Sequence, residues 1–401
     1  MTTPVLAPSP PRSRRSAVRL LGPAFVAAIA YVDPGNLVTN VTAGAQFGTG
    51  LLWVVVLATL VAGPVQYLAA KLGATTGLTL PQLVGRNCSA PWRVAYWVQA
   101  EIVSIATDVA EVIGAAFALY LLFGVPMPVG GVIAAVVGGV LLAAGDRLGE
   151  RFLQGVAVAA LGVIGAAFVF CLAYRPPALH ELGSGMVPGL PGDGALYLAA
   201  GIVGATIMPH AVHIHSALAR THRRLKAHRV DVFTAMLFAG AVNASMLVVG
   251  AGALFGLSAD DFAGIAHGLS DRVGGAAQTA FLVALLTSGL TSTAVGTQSG
   301  EVVMSGLMRR RIPRSLRRTI TVLPAVALLT AGISPVGALI ASQVILAIGL
   351  PFVLVPLGLL TSSRRVMGDQ ANRLAVKIGI GVVVAAVTVL DVALLMEQFF
   401  P

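Results

Sequence analysis

The chain has 401 residues, of which 57% are hydrophobic and only 10% are charged, and its net charge is +10. About 25% of the residues of a soluble domain are charged, and apolar runs near the ~20 residues that cross a bilayer recur along this whole chain. Composition therefore excludes a soluble protein and predicts a helical membrane protein that crosses the bilayer many times.

Apolar segments predict eleven membrane helices, and no linker divides the chain into soluble domains. Residues 1–16 are predicted to be a disordered cytoplasmic tail, and residues 17–401 a single transmembrane domain. The two longest gaps between helices, residues 175–193 and 258–274, are polar and rich in glycine or proline, so they are predicted to be external surface loops. The predicted helices span roughly residues 19–45, 50–74, 92–122, 127–145, 152–173, 196–220, 229–256, 274–308, 317–334, 336–361 and 374–398.

Lysine and arginine residues fall in alternate gaps between the predicted helices. Of the 26 basic residues, only Arg175 and Arg272 lie on the external side of the membrane in this topology, and the others share the opposite side. This asymmetry is the positive-inside pattern, which predicts a cytoplasmic N-terminus and, with an odd number of helices, an external C-terminus. Because the positive charge orients the chain in the bilayer, no nucleic-acid partner is expected, and no obligate protein partner is evident.

Two predicted membrane helices, the first and the sixth, are interrupted by proline near their middle. The first carries DPGN at residues 33–36, and the sixth carries MPH at residues 208–210. Proline removes a helical hydrogen bond, and freed backbone groups are tolerated in a membrane only where they line a cavity or pack on protein. Either interruption alone could be a structural kink.

Two interruptions five helices apart indicate an inverted-repeat transporter, whose site lies near the midplane between the repeats. The repeats would span about residues 17–175 and 195–361, with the helix at 374–398 as an addition.

The residues at the two interruptions predict a binding site for a divalent transition-metal ion. Asp33 and Asn36 offer side-chain oxygens, and unwinding of the first helix exposes backbone carbonyls such as that of Ala30. In the sixth helix, Met208 offers a thioether and Ala205 a carbonyl. Oxygen ligands alone suit Mg²⁺ or Ca²⁺, whereas a soft thioether favours transition metals such as Mn²⁺ or Fe²⁺. A methionine in an apolar helix is otherwise ordinary core packing, and its place directly before a helix-breaking proline favours the ligand role.

The third predicted helix carries a row of four polar side chains, three of which are acids. Acids and histidines arranged in a chain within the membrane are typical of proton relays. Alternatively, the acids pair with arginines, for which Arg317 and Arg318 at the start of the ninth helix are candidates, and both roles can coexist. The row consists of Glu101, Ser104, Asp108 and Glu111, which share one helical face at i, i+3, i+7 and i+10.

Three histidines, His210, His213 and His215, follow the second interruption in the sequence MPHAVHIH. A helix directs residues 213 and 215 to opposite faces, so the spacing argues against a tri-histidine metal site and favours histidine as a proton carrier. In the tenth helix, Gln343 is either a further metal ligand or an interhelical hydrogen-bonding residue.

With these motifs the sequence resembles the natural resistance-associated macrophage protein (Nramp) family of proton-coupled divalent-metal transporters, and in particular its bacterial manganese importers. The resemblance implies a bacterial plasma-membrane location and a LeuT-like fold with a 5+5 inverted repeat and discontinuous first and sixth helices. It also implies transported Mn²⁺, Fe²⁺ and H⁺ with no permanently bound cofactor. The match is carried by DPGN at 33–36, MPH at 208–210 and ATDVAEVIG at 106–114, with support from TQSGEVVMSG at 297–306, RIPRSLRR at 311–318 and SQVIL at 342–346.

The resemblance further implies roles for individual residues. The chain departs from the common family pattern after MPH, where it has Ala211 and His213. The implied metal ligands are Asp33, Asn36, Met208 and the carbonyls of Ala30 and Ala205, with Gln343 joining in some states. The implied proton route comprises Asp33, His210, Glu111 and Asp108 and continues toward Arg317 and Arg318, and His215 lies near the inner vestibule.

The predicted function is import of Mn²⁺, and of Fe²⁺, with protons by alternating access. The main alternative is a sodium-coupled amino-acid symporter of the same fold, which would need glycine-rich unwound segments and no mid-membrane pairing of Asp33 with Met208. A membrane-embedded metalloenzyme is disfavoured, because the sequence contains no HExxH motif and no visible nucleophile–base pair.

Overall fold

The computed structural model describes residues 22–174, 176–221, 224–257, 262–308 and 314–399, and the predicted tail at residues 1–16 lies outside these ranges. Every regular element in the described ranges is helical, as predicted, and a 3₁₀ segment, Ile29–Val32, continues the first helix. The helices are α1 (Pro23–Ala28), α2 (Pro34–Phe47), α3 (Leu52–Thr76), α4 (Leu80–Asn87), α5 (Ala90–Phe123), α6 (Met127–Leu148), α7 (Glu150–Tyr174), α8 (Leu179–Ser184), α9 (Ala195–Thr206), α10 (Pro209–Leu218), α11 (Leu225–Leu254), α12 (Phe262–Arg272), α13 (Gly275–Leu307), α14 (Arg314–Thr330), α15 (Pro335–Ser362), α16 (Arg364–Met367) and α17 (Leu374–Phe399).

Apolar length identifies most of these helices as membrane spans. Within the described ranges, nine segments are long and apolar enough to cross a membrane, with α9 and α10 forming one of them. Two shorter apolar segments, Pro23–Val32 and Thr319–Thr330, add to these nine. The protein is therefore an all-helical, multi-pass membrane protein.

Four short helices, α8, α12, α4 and α16, lie where the sequence analysis predicted none. Two of them, α8 and α12, lie within the predicted surface loops, where a search for long apolar runs passes over short polar helices. The third, α4, begins with a capping box in which Thr79 and Gln82 each bond the other's backbone. That signature is readable from sequence, and it could have located α4 in advance.

The two interrupted helices occupy the middle of the fold. Helix α2 packs on α9, α11 and α15, and α10 packs on α3 and α13. The outer helices α6 and α17 instead expose large apolar side chains such as Val140 and Val389. Exposed apolar side chains on membrane-length helices fit contact with lipid, so the interior of the bundle is where polar chemistry is concentrated.

Candidate metal-binding site

The first interruption is the start of a new helix at Pro34. Asp33 adopts an extended conformation with φ −73° and ψ 164°, and its carboxylate accepts a hydrogen bond from the backbone N–H of Asn36. The Asp33 Oδ1 to Asn36 N distance is 2.7 Å. Aspartate is a preferred N-cap and proline a preferred first helical residue, so the sequence DPGN starts α2 and leaves a fully buried carboxylate at its tip.

The second interruption repeats this arrangement. Helix α9 ends at Thr206, α10 begins at Pro209, and Met208 lies between them with φ −28° and ψ 121°. A residue before proline is pushed out of the helical conformation, which places the thioether of Met208 at the gap. Met208 and the neighbouring Ala205 are fully buried.

Gln343 of α15 contacts both interruptions. Its Nε2 donates a hydrogen bond to Asp33 Oδ2 over 3.2 Å, and a methyl group on Gly35 would overlap the same amide. The backbone carbonyl of Gln343 lies directly against Gly204, the residue before Ala205. Here Gln343 acts as an interhelical hydrogen-bonding residue, but its buried Oε1 has no hydrogen-bond partner among the described residues. A half turn of the amide would direct this oxygen toward Asp33.

The amide of Asn36 is held by three neighbours. Its Nδ2 donates to the carbonyl of Tyr31 and to Asn243 Oδ1 over 2.9 Å, and its Oδ1 accepts from Asn40 Nδ2 over 2.5 Å. Sequence analysis placed neither Asn40 nor Asn243 at the site. Asn40 could have been found from its i+4 spacing to Asn36 on one helix, whereas Asn243 arrives from α11 and has no local signal.

The predicted metal ligands form a buried group of mixed donor chemistry at the two helix interruptions. Carboxylate, amide and carbonyl oxygens suit hard cations, and the thioether adds affinity for transition metals. A carboxylate removed from water needs a compensating partner, and a divalent cation is such a partner. The residues with 0% exposure are Asp33, Asn36, Met208, Ala30, Ala205 and Gln343.

The acids of α5 face α13 beside this group. A methyl carbon on Gly296 would lie 3.3 Å from Glu111 Oε1 and 3.4 Å from Asp108 Oδ1, so both carboxylates meet the same point of α13. His210 lies next to this helix, with Nδ1 3.5 Å from Thr107 Oγ1. For Asp108 and Glu111, the observed contact agrees with the predicted shared face on one continuous helix, α5. Glu101, the acid nearest the start of α5, is only half-buried.

The predicted partners Arg317 and Arg318 belong to α14, which packs on α5. Their side chains lie outside the described part of the chain.

The three histidines of α10 point to three different places. His213 Nε2 lies 2.9 Å from the hydroxyl of Tyr96, whereas His215 Nδ1 lies 2.7 Å from Gln66 Oε1. Together with the His210 contact to Thr107, these bonds separate the rings, as the sequence predicted. Gln66, which sequence analysis did not identify, also bonds the hydroxyl of Tyr31 and thereby connects the first interruption to α10.

We expect Gly204→Ala to destabilise the protein by about 1 to 3 kcal/mol. The added methyl would overlap the backbone carbonyl of Gln343 and the amide nitrogen of Ala347, so α9 and α15 would have to separate. Thermal unfolding of the detergent-solubilised protein measures the effect. Gly162→Ala in α7 is the matched control, since nothing lies within 4 Å of that position. An unfolding temperature for Gly204→Ala equal to that of the control would contradict the close approach.

Comparison with known proteins places these features in context. A family model described as natural resistance-associated macrophage protein-like matches residues 24–397. The divalent metal cation transporter MntH of Mycobacterium tuberculosis is 46% identical over 395 residues, covering 96% of this chain and 92% of that protein. A crystal structure of the Eremococcus coleocola manganese transporter has a TM-score of 0.85 and 33% identity, covering 98% of this chain and 89% of that one.

A crystal structure of MhsT in complex with L-phenylalanine also has a similar fold. It has a TM-score of 0.64, covering 92% of this chain and 98% of that one. Its sequence identity is only 13%, so the likeness is one of fold alone.

Proposed function

The chain belongs to the natural resistance-associated macrophage protein family, and we propose that it imports Mn²⁺, and also Fe²⁺, together with protons. It is a membrane transporter of divalent metal ions and not an enzyme. The M. tuberculosis relative is named a divalent metal cation transporter and the E. coleocola relative a manganese transporter. One observation carries the proposal: a buried carboxylate, Asp33, and a buried thioether, Met208, sit at two helix breaks that Gln343 connects.

The proposed ligands use the chemistry of both breaks. Asp33 supplies negative charge, Asn36 an amide oxygen and Met208 the sulfur, while Ala30 and Ala205 supply carbonyls. Gln343 joins when its amide turns to present Oε1. Sulfur gives a hard ion little in exchange for lost water, so this ligand set favours Mn²⁺ and Fe²⁺ over Ca²⁺ and Mg²⁺.

The proposed architecture has eleven membrane helices in a 5+5 inverted repeat. The interrupted helices α1–α2 and α9–α10 correspond in the two repeats, and α17 is the added helix. Nine long apolar segments, two shorter ones and the fold likeness to MhsT support this arrangement. The distribution of basic residues supports a cytoplasmic N-terminus and an external C-terminus. Alternating access then moves one repeat against the other around the fixed site.

The proposed proton route runs from the metal site along α5. It starts at Asp33 and His210, and the contact of His210 with Thr107 supports passage to α5. The two acids that face Gly296 continue it. In order, the proposed carriers are Asp33, His210, Glu111, Asp108 and Glu101, with Arg317 and Arg318 beside the far end and His215 on the inner side.

Uptake into proteoliposomes tests the function. Vesicles containing a pH-sensitive dye are given external Mn²⁺ without Na⁺, and metal uptake is followed together with internal pH. We expect Mn²⁺ uptake accompanied by internal acidification. Uptake of an amino acid that requires Na⁺, without Mn²⁺ uptake, would instead establish the symporter alternative.

We expect Asp108→Asn to lower metal-driven proton influx at least tenfold, equivalent to about 1.4 kcal/mol in the barrier. Asparagine preserves the shape of the side chain but cannot carry a proton. The dye-loaded vesicles measure proton influx, and Mn²⁺ uptake is recorded in parallel.

Asp391→Asn in α17 is the matched control for this variant. Asp391 is a buried membrane acid, 6% exposed against 4% for Asp108, and its helix packs on α15 and α9 rather than on α13. We expect the control to keep normal proton influx. Undiminished influx in Asp108→Asn would remove Asp108 from the relay.

A further inference from the structure

A second group of metal-ligating side chains lies where α10 ends and α11 begins. His215, His228 and Asp231 each offer one ligand atom, and these atoms all lie within 4.8 Å of one another. The three residues are 0%, 2% and 4% exposed, respectively. Two imidazoles and one carboxylate form a donor set that binds divalent first-row transition metals. We call this group the inner cluster.

His215 is oriented to act as a ligand. Its Nδ1 lies 2.7 Å from Gln66 Oε1, and because an amide oxygen only accepts, Nδ1 carries the hydrogen of the neutral ring. The lone pair is then on Nε2, which is buried and has no hydrogen-bond partner among the described residues. Fixing one ring nitrogen so that the other presents a lone pair is how proteins orient metal-binding histidines.

Asp231 connects the inner cluster to the start of α1. Its Oδ1 accepts a hydrogen bond from the backbone N–H of Gly22, and its Oδ2 accepts one from the backbone N–H of Ala24, both over 2.9 Å. A carboxylate offers about four acceptor positions on two oxygens, so it can bind a cation while holding both N–H groups. The His215 and His228 rings stand edge to face with centroids 6.4 Å apart. Three separate chain segments therefore meet at this point.

Hydrogen bonds join the inner cluster to the first helix break. Gln66 bonds both the Tyr31 hydroxyl and His215, and the Tyr31 carbonyl accepts from Asn36. Gln66 and Tyr31 thus link the inner cluster to Asn36, and the cluster lies toward the end of the bundle where α1 and α11 begin. In the proposed topology that end faces the cytoplasm.

We propose that His215, His228 and Asp231 form a second binding site for a divalent transition-metal ion, which the ion occupies on its way from Asp33 to the cytoplasm. This inference rests on the proposed function, because it supplies the release side of the same path. Imidazole-rich sites follow the order in which Mn²⁺ binds more weakly than Co²⁺ or Zn²⁺. Such a site would hold Mn²⁺ loosely enough to release it, and Co²⁺ tightly enough for detection.

Co²⁺ binding to the tag-free, detergent-solubilised protein tests the second site. Equilibrium dialysis gives the number of ions bound, and visible absorption of Co²⁺ reports its ligands. We expect two ions for the native chain, one for Asp33→Asn, one for His228→Ala, and none for the double variant. The count of none for the double variant refers to dialysis near the affinity of the Asp33→Asn protein, because His228→Ala should weaken Co²⁺ binding in that background at least about tenfold.

His213→Ala is the matched control. His213 is a buried histidine of α10, 2% exposed, but it bonds Tyr96 rather than the inner cluster, so Co²⁺ binding in the Asp33→Asn background should be unchanged. A second measurement avoids further substitution. Pulsed EPR of Cu²⁺ bound to Asp33→Asn should detect imidazole nitrogen, and its absence would overturn the proposal.

The outcomes separate the second site from the proposed function. One ion bound by the native chain and none by Asp33→Asn would overturn the second site and leave the primary site intact. One ion whose binding survives Asp33→Asn but is lost in His228→Ala would support the second site and contradict Asp33 as a ligand.

Discussion

Asp33→Asn is expected to abolish Mn²⁺ uptake into proteoliposomes. The carboxylate is the one formal negative charge among the proposed ligands, and it is fully buried at the tip of α2. Asparagine can still cap the helix, so the helix start survives while the charge that replaces the hydration of a divalent ion is lost. We expect Mn²⁺ affinity to fall at least 100-fold, or about 2.7 kcal/mol, as measured by titration of the solubilised protein.

The same substitution at Asp391 controls for loss of a buried membrane acid. Asp391 is 6% exposed, and its Oδ1 has no hydrogen-bond partner among the described residues. Asp391→Asn should fold, bind Mn²⁺ and transport normally. If Asp33→Asn protein is monodisperse and takes up Mn²⁺ at a near-normal rate, Asp33 is not a ligand and the proposed site is wrong.

The helix breaks were readable from sequence because their cause is local. A proline inside an apolar run cannot continue a helix, and the residue before it leaves the helical conformation. DPGN and MPH therefore determine where α2 and α10 start, without help from the rest of the fold. The shared face of Asp108 and Glu111 was equally readable, since helical periodicity alone puts both on one side of α5, although their contact with Gly296 of α13 depends on tertiary packing.

Contacts made over long sequence separations were not readable in this way. Gln343 was left between two roles, because its approach to Asp33 depends on glycines at positions 35 and 204 of two other helices. The sequence predicted that this helix starts near residue 229, whereas α11 begins at Leu225. His228 therefore fell outside the predicted helix, and Asp231 fell at its very start. Their contact with His215 and with the start of α1 depends on tertiary packing alone, and no residue spacing in the sequence indicates it.

Met208→Ala is expected to change which ions the protein accepts. The thioether adds affinity for soft and borderline ions but little for Ca²⁺. Water can fill the space that the side chain leaves, and Ca²⁺ binds readily through water. We therefore expect the Mn²⁺ to Ca²⁺ uptake ratio to fall at least tenfold, or about 1.4 kcal/mol. Competition of Ca²⁺ and Cd²⁺ against Mn²⁺ uptake measures this, with Cd²⁺ losing the most affinity.

Met236→Ala separates loss of sulfur at the site from loss of a core methionine. Met236 is buried in α11, 6% exposed, and faces Gly63 of α3. Truncating either methionine creates a cavity at a cost of about 2 to 5 kcal/mol, so both variants should lose comparable stability. Only Met208→Ala should alter ion preference, because only Met208 lies at a helix break. Equal loss of stability with an unchanged Mn²⁺ to Ca²⁺ ratio in both variants would show that selectivity comes from the oxygen ligands instead.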